Sequence, residues 1–302
     1  VAYGWKPKNP DHPLLFLKDY CVARGLGFFD HHGGGGTTDI PPTTTVDWTP
    51  RIPPSDLAML GNDQWGNCVE AAMYHADQSL SGDTEIPTEE EALSIYSSIT
   101  GFNPNKPNTD QGTDIPTALD WWMANPLPGS GTKLGGYFSL DVNDLEEVAL
   151  ADQLGGVVLI GFNVPASAET QFDAGQEWVP VAHSQIEGGH CITVDEVDPS
   201  KGTGITWAKY QTFSWSFWQQ YVQEAYVLFA EEWVSPSGTA PNGVLWSAMN
   251  ADIQTMFGKP GPFTDPSVTP VVPPVTPPAP ATYTPVQAIA AISQIVEATS
   301  TS

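Results

Sequence analysis

Basic residues are scarce in this chain of 302: ten Lys and Arg stand against 35 Asp and Glu, a formal net charge of −25. That surplus of negative charge repels phosphate backbones and anionic lipid head groups, so no nucleic acid and no membrane surface is expected as a partner. Cysteine is scarce too. Cys21, Cys68 and Cys191 cannot all pair, which excludes a disulfide scaffold and leaves at least one free thiol. No apolar run approaches the roughly 18 residues of a membrane span, and residues 1–10 lack a basic region followed by an apolar core. Neither a membrane span nor a signal peptide is predicted.

What the chain has is aromatic: 11 Trp, 12 Phe and 9 Tyr within 40% hydrophobic residues, far from the composition of an acidic disordered chain. The 28 Gly and 29 Pro argue for many turns and against an all-helical bundle. Residues 1–44 hold a short apolar patch at 14–17 and the turn-rich run His31-His32-Gly33-Gly34-Gly35-Gly36, and read as an arm that lies on something else. Residues 45–234 carry regular helix and strand signals and form the main domain. Residues 235–259 fit one amphipathic helix packing back on it through Trp246, Met249, Ile253 and Met256. Residues 260–285 hold ten prolines and read as a stiff polyproline spacer. Residues 286–302 place Ile289, Ile292, Ile295 and Val296 at helical spacing, a short helix that is either a frayed tail or an anchor to another subunit or a larger assembly.

Within the main domain the spacing predicts helices over 67–80, 88–100 with Thr88 as cap, 115–124, and 142–154, followed by strands over 157–162, 191–197, 204–210 and 225–229. Helices first and strands later imply an α+β domain with segregated halves.

The sharpest local signal is Gln64-Trp65-Gly66-Asn67-Cys68. The turn delivers Cys68 to the start of a helix, where the dipole lowers a thiol's pKa and free backbone amides can hold an oxyanion. Cys68 is therefore expected to ionise below the ordinary thiol value of about 8.5, with Gln64 aiming its amide at the same oxyanion. A lone Cys at a helix start is more often a small core residue. The second signal is Gly188-Gly189-His190-Cys191, which leads a His into a strand at the rim of a sheet, where it can take a proton from a thiol. A nucleophilic Cys and its His are distant in sequence and adjacent only in the fold, so the two side chains are expected within about 4 Å across one cleft.

On these motifs residues 45–234 resemble the papain-like cysteine peptidases. The 63–68 turn is similar to that family's Gln-to-Cys motif, shortened from six residues to four, with Val69 where an aromatic residue is common. The 188–192 run is similar to the family's Gly-Gly-His motif. The resemblance implies a helical half carrying the Cys helix and an antiparallel sheet half carrying the His strand. It implies a third catalytic member, an Asn, near 205–213; none is there, and Gln211 stands as the group that could orient the imidazole. Double-glycine peptidases and modules of bacteriophage virions share this pattern. The implied function is a cysteine-dependent hydrolase of peptide or isopeptide bonds, with Cys68 as nucleophile, His190 as base then acid, Gln64 at the oxyanion and no cofactor. The rival reading is a catalytically silent papain-like module, a structural or binding component such as a virion carries. A soluble protein, secreted or virion-associated, fits either. Other candidates rank lower: His31-His32 has no further metal ligand beside it, 141–144 lacks the Gly and Glu of a calcium loop, and His75 and His183 read as packing or surface residues.

Overall fold

Residue choice at the ends of the helices sets their bounds. In the computed structural model, which describes residues 2–19, 44–82 and 86–230, α1 (Cys68–Ser81) ends where Gly82 turns left-handed (φ 65°) and its amide closes on the Gln78 carbonyl. α2 (Glu89–Thr100) opens on a capping box between Thr88 and Glu91 and stops at left-handed Gly101. α3 (Ile115–Ala124) opens on Asp114, which accepts from the Thr117 amide, with Pro116 in the first turn. α4 (Leu145–Gly155) begins later than the expected 142 because Asp144 is its cap, accepting from the Glu147 amide. Two shorter α-helices, α5 (Ala166–Asp173) and α6 (Trp215–Tyr221), follow later in the chain.

Among the described residues eight strands form two antiparallel sheets: β1 (Val46–Asp47), β2 (Leu134–Leu140), β3 (Val158–Pro165), β4 (Ile186–Val194), β5 (Glu196–Val197), β6 (Lys201–Thr206), β7 (Lys209–Ser214) and β8 (Val222–Ala230). Their orders are β2-β8-β3-β4 and β1-β5-β6-β7. The fold is α+β, with three departures from the expected elements. β2 lies between α3 and α4. The expected 191–197 strand divides at Asp195, whose buried carboxylate accepts from the Ser79 and Thr193 hydroxyls while the chain passes from one sheet to the other. The expected 204–210 strand is instead a hairpin that turns at Trp207 and Ala208, both at positive φ.

The first sheet is buried on both faces. Tyr137, Leu159, Cys191, Tyr226 and Leu228 pack on α1 and α3, whereas Phe138, Ile160, Phe162, Ile192 and Val227 meet α4, α5, α6 and the rings of Trp178, Trp215 and Trp218. Two-sided burial explains the unbroken apolar run 157–162. Trp122 is fully buried, and Trp121 is half-buried with its indole N–H on the Ser98 hydroxyl. Of the arm, residues 2–19 lie on the domain itself: Phe16 bridges to Ser139 and Leu17 is buried. Cys21, His31-His32 and everything expected beyond 230, including the packing helix, the proline spacer and the terminal helix, lie outside the described residues.

Candidate active site

α1 begins without a side-chain cap, since Asn67 turns its amide to the Leu60 carbonyl at 2.8 Å and leaves the first backbone N–H groups of the helix unclaimed by it. Cys68 opens that helix and is 1% exposed. The backbone amides of Gly4, Trp5 and Cys191 face its sulfur and favour the thiolate, but burial outweighs them and, with the Glu70 carboxylate two residues on, pushes the thiol up to about 12. The expected depression of this pKa is overturned: desolvation exceeds what the helix end and the amides supply.

His190 stands on β4 opposite Phe162 of β3. Its ring stacks on Trp207 (4.7 Å, 23°) and meets Phe162 edge-on at 5.7 Å. Nε2 lies 2.7 Å from the Thr206 hydroxyl, while the buried Nδ1 makes no hydrogen bond among the described residues. Burial, with a smaller contribution from His75, lowers the imidazole to about 3. Cys68 and His190 are thus brought to neighbouring positions, the sulfur against the amide of residue 191, yet the two side chains share no hydrogen bond.

Gln211 does not orient the imidazole. It stands opposite Gly204 in the β6–β7 hairpin, and its side-chain amide donates to the Gln176 and Thr212 carbonyls. Thr206, directly before the ring-stacking Trp207, is the group on the imidazole. Gln64 is exposed; the amides of Gln64 and Trp65 both close on the Gly61 carbonyl at 3.0 Å, a turn whose buried amide side chain belongs to Asn62. Asn62 Nδ2 donates to Trp65 O (3.1 Å) and Ala2 O (3.3 Å). It stands six residues before Cys68, the spacing of the family motif that the 63–68 turn resembles.

The cleft is occupied by the chain's own start. Residues 2–6 run between the two halves, with Ala2 N on Asn62 O (3.1 Å), Thr113 N on Gly4 O (2.8 Å), Lys6 N on Thr113 O (3.1 Å) and Trp5 N on Gly189 O (3.0 Å). Tyr3 meets the His190 ring edge-on at 6.2 Å, and its hydroxyl donates to Glu169. Gly188 and Gly189 are what let the segment in: a Cβ on either would fall 2.7 Å from Tyr3 or 2.5 Å from Trp5. Gly4 passes so close to Gly66 that its own Cβ would lie 1.7 Å from the Gly66 carbonyl oxygen.

Elsewhere, His75 is buried, lowered to about 4 by desolvation, and bonded to the Ala58 carbonyl at 3.0 Å, as a packing residue should be. His183 is exposed in a loop. Among the described residues no cluster of three His, Cys, Asp or Glu could hold a metal, and no helix is long and apolar enough to cross a membrane.

No protein-family model matches the sequence, and no curated protein matches it by sequence. Solved structures do match. Xylellain, a cysteine protease from Xylella fastidiosa, superposes with a TM-score of 0.52 at 15% identity over 75% of this chain and 95% of that one. Digestive procathepsin L 3 of Tenebrio molitor larval midgut gives 0.44 at 15% identity over 68% and 78%. The cysteine protease and lectin-like domains of a surface layer associated protein of Clostridium difficile give 0.40 at 11% over 74% and 62%. With a Cys helix packed on an antiparallel sheet whose edge strand carries the His, and with the xylellain superposition, this chain has the fold of the papain-like cysteine peptidases.

Proposed function

We propose that the chain is a cysteine-dependent hydrolase of peptide or isopeptide bonds, held latent here by its residues 2–6. The observation that carries the reading is the state of His190: one ring nitrogen is anchored on Thr206 while the other is buried and unbonded beside the residue that touches the Cys68 sulfur. If Nε2–H donates to Thr206, Nδ1 is left as the acceptor for the thiol proton. The thiolate then attacks the carbonyl carbon, and the oxyanion is received by the Cys68 amide at the helix start and the Asn62 side chain. The imidazolium returns its proton to the leaving amine, and water, deprotonated by the same nitrogen, releases the acyl group from sulfur. No metal or cofactor enters this sequence.

Latency follows from the same contacts. Under the segment the thiol is pushed up to about 12 and the imidazole down to about 3, so both are neutral near pH 7. Opening the cleft admits water, lifts the desolvation that dominates both shifts, and lets the pair exchange its proton. A thiol-directed peptidase inhibitor tests the reading: it should label Cys68 in a chain whose segment is displaced, and not in a chain that also carries His190→Ala.

A second reading, a silent module, is favoured by one observation, the near-complete burial of both groups. It predicts that Cys68, once uncovered, reacts no faster than a free thiol.

A further inference from the structure

The segment in the cleft is a peptide held in place, and its side chains report what the cleft accepts. The Trp5 ring occupies a pocket that exists because β3 and β4 carry glycines there: a Cβ on Gly161 would lie 2.2 Å from its Nε1, and one on Gly189 2.5 Å from the ring. Cys191 belongs to the same apolar cluster. The pocket ends on a carboxylate. Trp5 Nε1 donates to Glu224 Oε1 at 2.6 Å, Tyr226 donates to Oε2 at 3.0 Å, and the Lys8 amide also faces the group. One of these three donors, Trp5, belongs to the segment, and a second, the Lys8 amide, follows two residues after it. When it leaves, a mostly buried carboxylate in an apolar pocket is short of donors, and a ligand without an N–H would leave it so at a cost.

The residue before Trp5 is constrained by contact rather than by charge. The Gly4 amide faces the Cys68 sulfur, and no side chain fits between this residue and the Gly66 carbonyl.

We infer that the cleft recognises a peptide with glycine over the Cys68 sulfur and, next to it, a long side chain tipped by an N–H donor, and that Glu224 is the residue that sets the second preference. This rests on the hydrolase reading above and names its substrate class. It explains why the chain can close the cleft with its own Tyr3-Gly4-Trp5.

The test uses the full chain carrying Gly4→Ala, whose Cβ cannot seat, and Cys68→Ser, which prevents turnover. Binding is measured for a peptide copying residues 2–7, for the same peptide with naphthylalanine in place of Trp, and for one with Ala in place of Gly. The Trp peptide should bind at least about ten-fold tighter than its naphthylalanine analogue, the size of one hydrogen bond to a charged acceptor. The Ala peptide should show no measurable binding. Adding Glu224→Leu, which leaves no acceptor for the indole N–H, should bring the Trp and naphthylalanine affinities together. Equal binding of those two peptides to the chain with Glu224 intact overturns the preference and leaves the hydrolase reading standing, whereas no binding by any peptide overturns both. A second measurement needs no open variant: Trp5→Phe in the otherwise intact chain should speed alkylation of Cys68, and the increment should be smaller on a Glu224→Leu background, where only the lost ring area remains. An unchanged rate with Trp5→Phe overturns the inference.

Discussion

Replacing Trp5 by Ala should release residues 2–6 while leaving the domain folded. Backbone contacts alone do not hold the segment. Its four backbone bonds, at about 0.5–1.5 kcal/mol each, contribute roughly 2–6 kcal/mol, and ordering five residues costs about 5–10 kcal/mol at about 1–2 per residue. Burying the indole, 5% exposed, adds about 4–6 kcal/mol for about 150–250 Å² at about 25 cal/mol/Å². The sum lies within a few kcal/mol of zero, so the side chain decides whether the segment is bound. Deleting it tips the balance toward the open form, and because α4, α5, α6 and their sheet face pack without Trp5, the opening is local. Alkylation of Cys68, followed by mass spectrometry, should accelerate at least about ten-fold, with Tm falling by no more than about 10 °C. A Trp5→Ala chain that protects Cys68 as well as the wild type, or one that loses its cooperative transition altogether, would refute the argument.

Three further outcomes follow from the same contacts. Thr206→Val removes the hydroxyl on His190 Nε2 at nearly constant shape; it should cost about 1–3 kcal/mol in denaturant unfolding and shift the imidazole tautomer population in nitrogen NMR, whereas Gln211→Ala leaves that spectrum unchanged. Asn62→Ala should lower hydrolysis by a segment-released chain by about 10²–10³, and Gln64→Ala, at an exposed position, should not. Burial raises Glu70 to about 7, so in the folded chain it stays protonated where the unfolded chain has ionised. Its contribution is therefore present below the ordinary carboxylate pKa and lost as pH rises through about 7; Glu70→Gln should gain Tm relative to wild type on going from pH 5 to pH 8, and a difference that is flat with pH contradicts the assignment.

Cys68 and His190 could be found in the sequence because each sits in a short motif, a glycine turn into a helix and a glycine pair into a strand, whose chemistry is local. Their partners could not be found in the same way. Thr206 acts through a hairpin that turns at Trp207 and Ala208, and a lone hydroxyl before a Trp carries no signal until that hairpin stacks the indole on the imidazole. Asn62 was overshadowed by Gln64, which is nearer to Cys68 along the chain but faces solvent. The Gly188-Gly189 pair points to a strand beside His190, but the strand starts at Ile186 and holds both glycines within it rather than in a turn ahead of it, and their physical purpose, room for Tyr3 and Trp5, depends on a contact across more than 180 positions. β2 escaped notice because all seven of its residues are buried, so it has no alternation to read. α5 and α6 escaped because helices of eight and seven residues span barely two turns.

The pairing of Cys68 with His190 is tested most directly by the pH dependence of Cys68 alkylation in the Trp5→Ala chain, with and without His190→Ala. Reactivity should persist down to about pH 5, well below the ordinary thiol pKa of about 8.5, and His190→Ala should abolish this acidic reactivity. A Cys68 that titrates near 8.5 in the open chain, indifferent to His190, would contradict it.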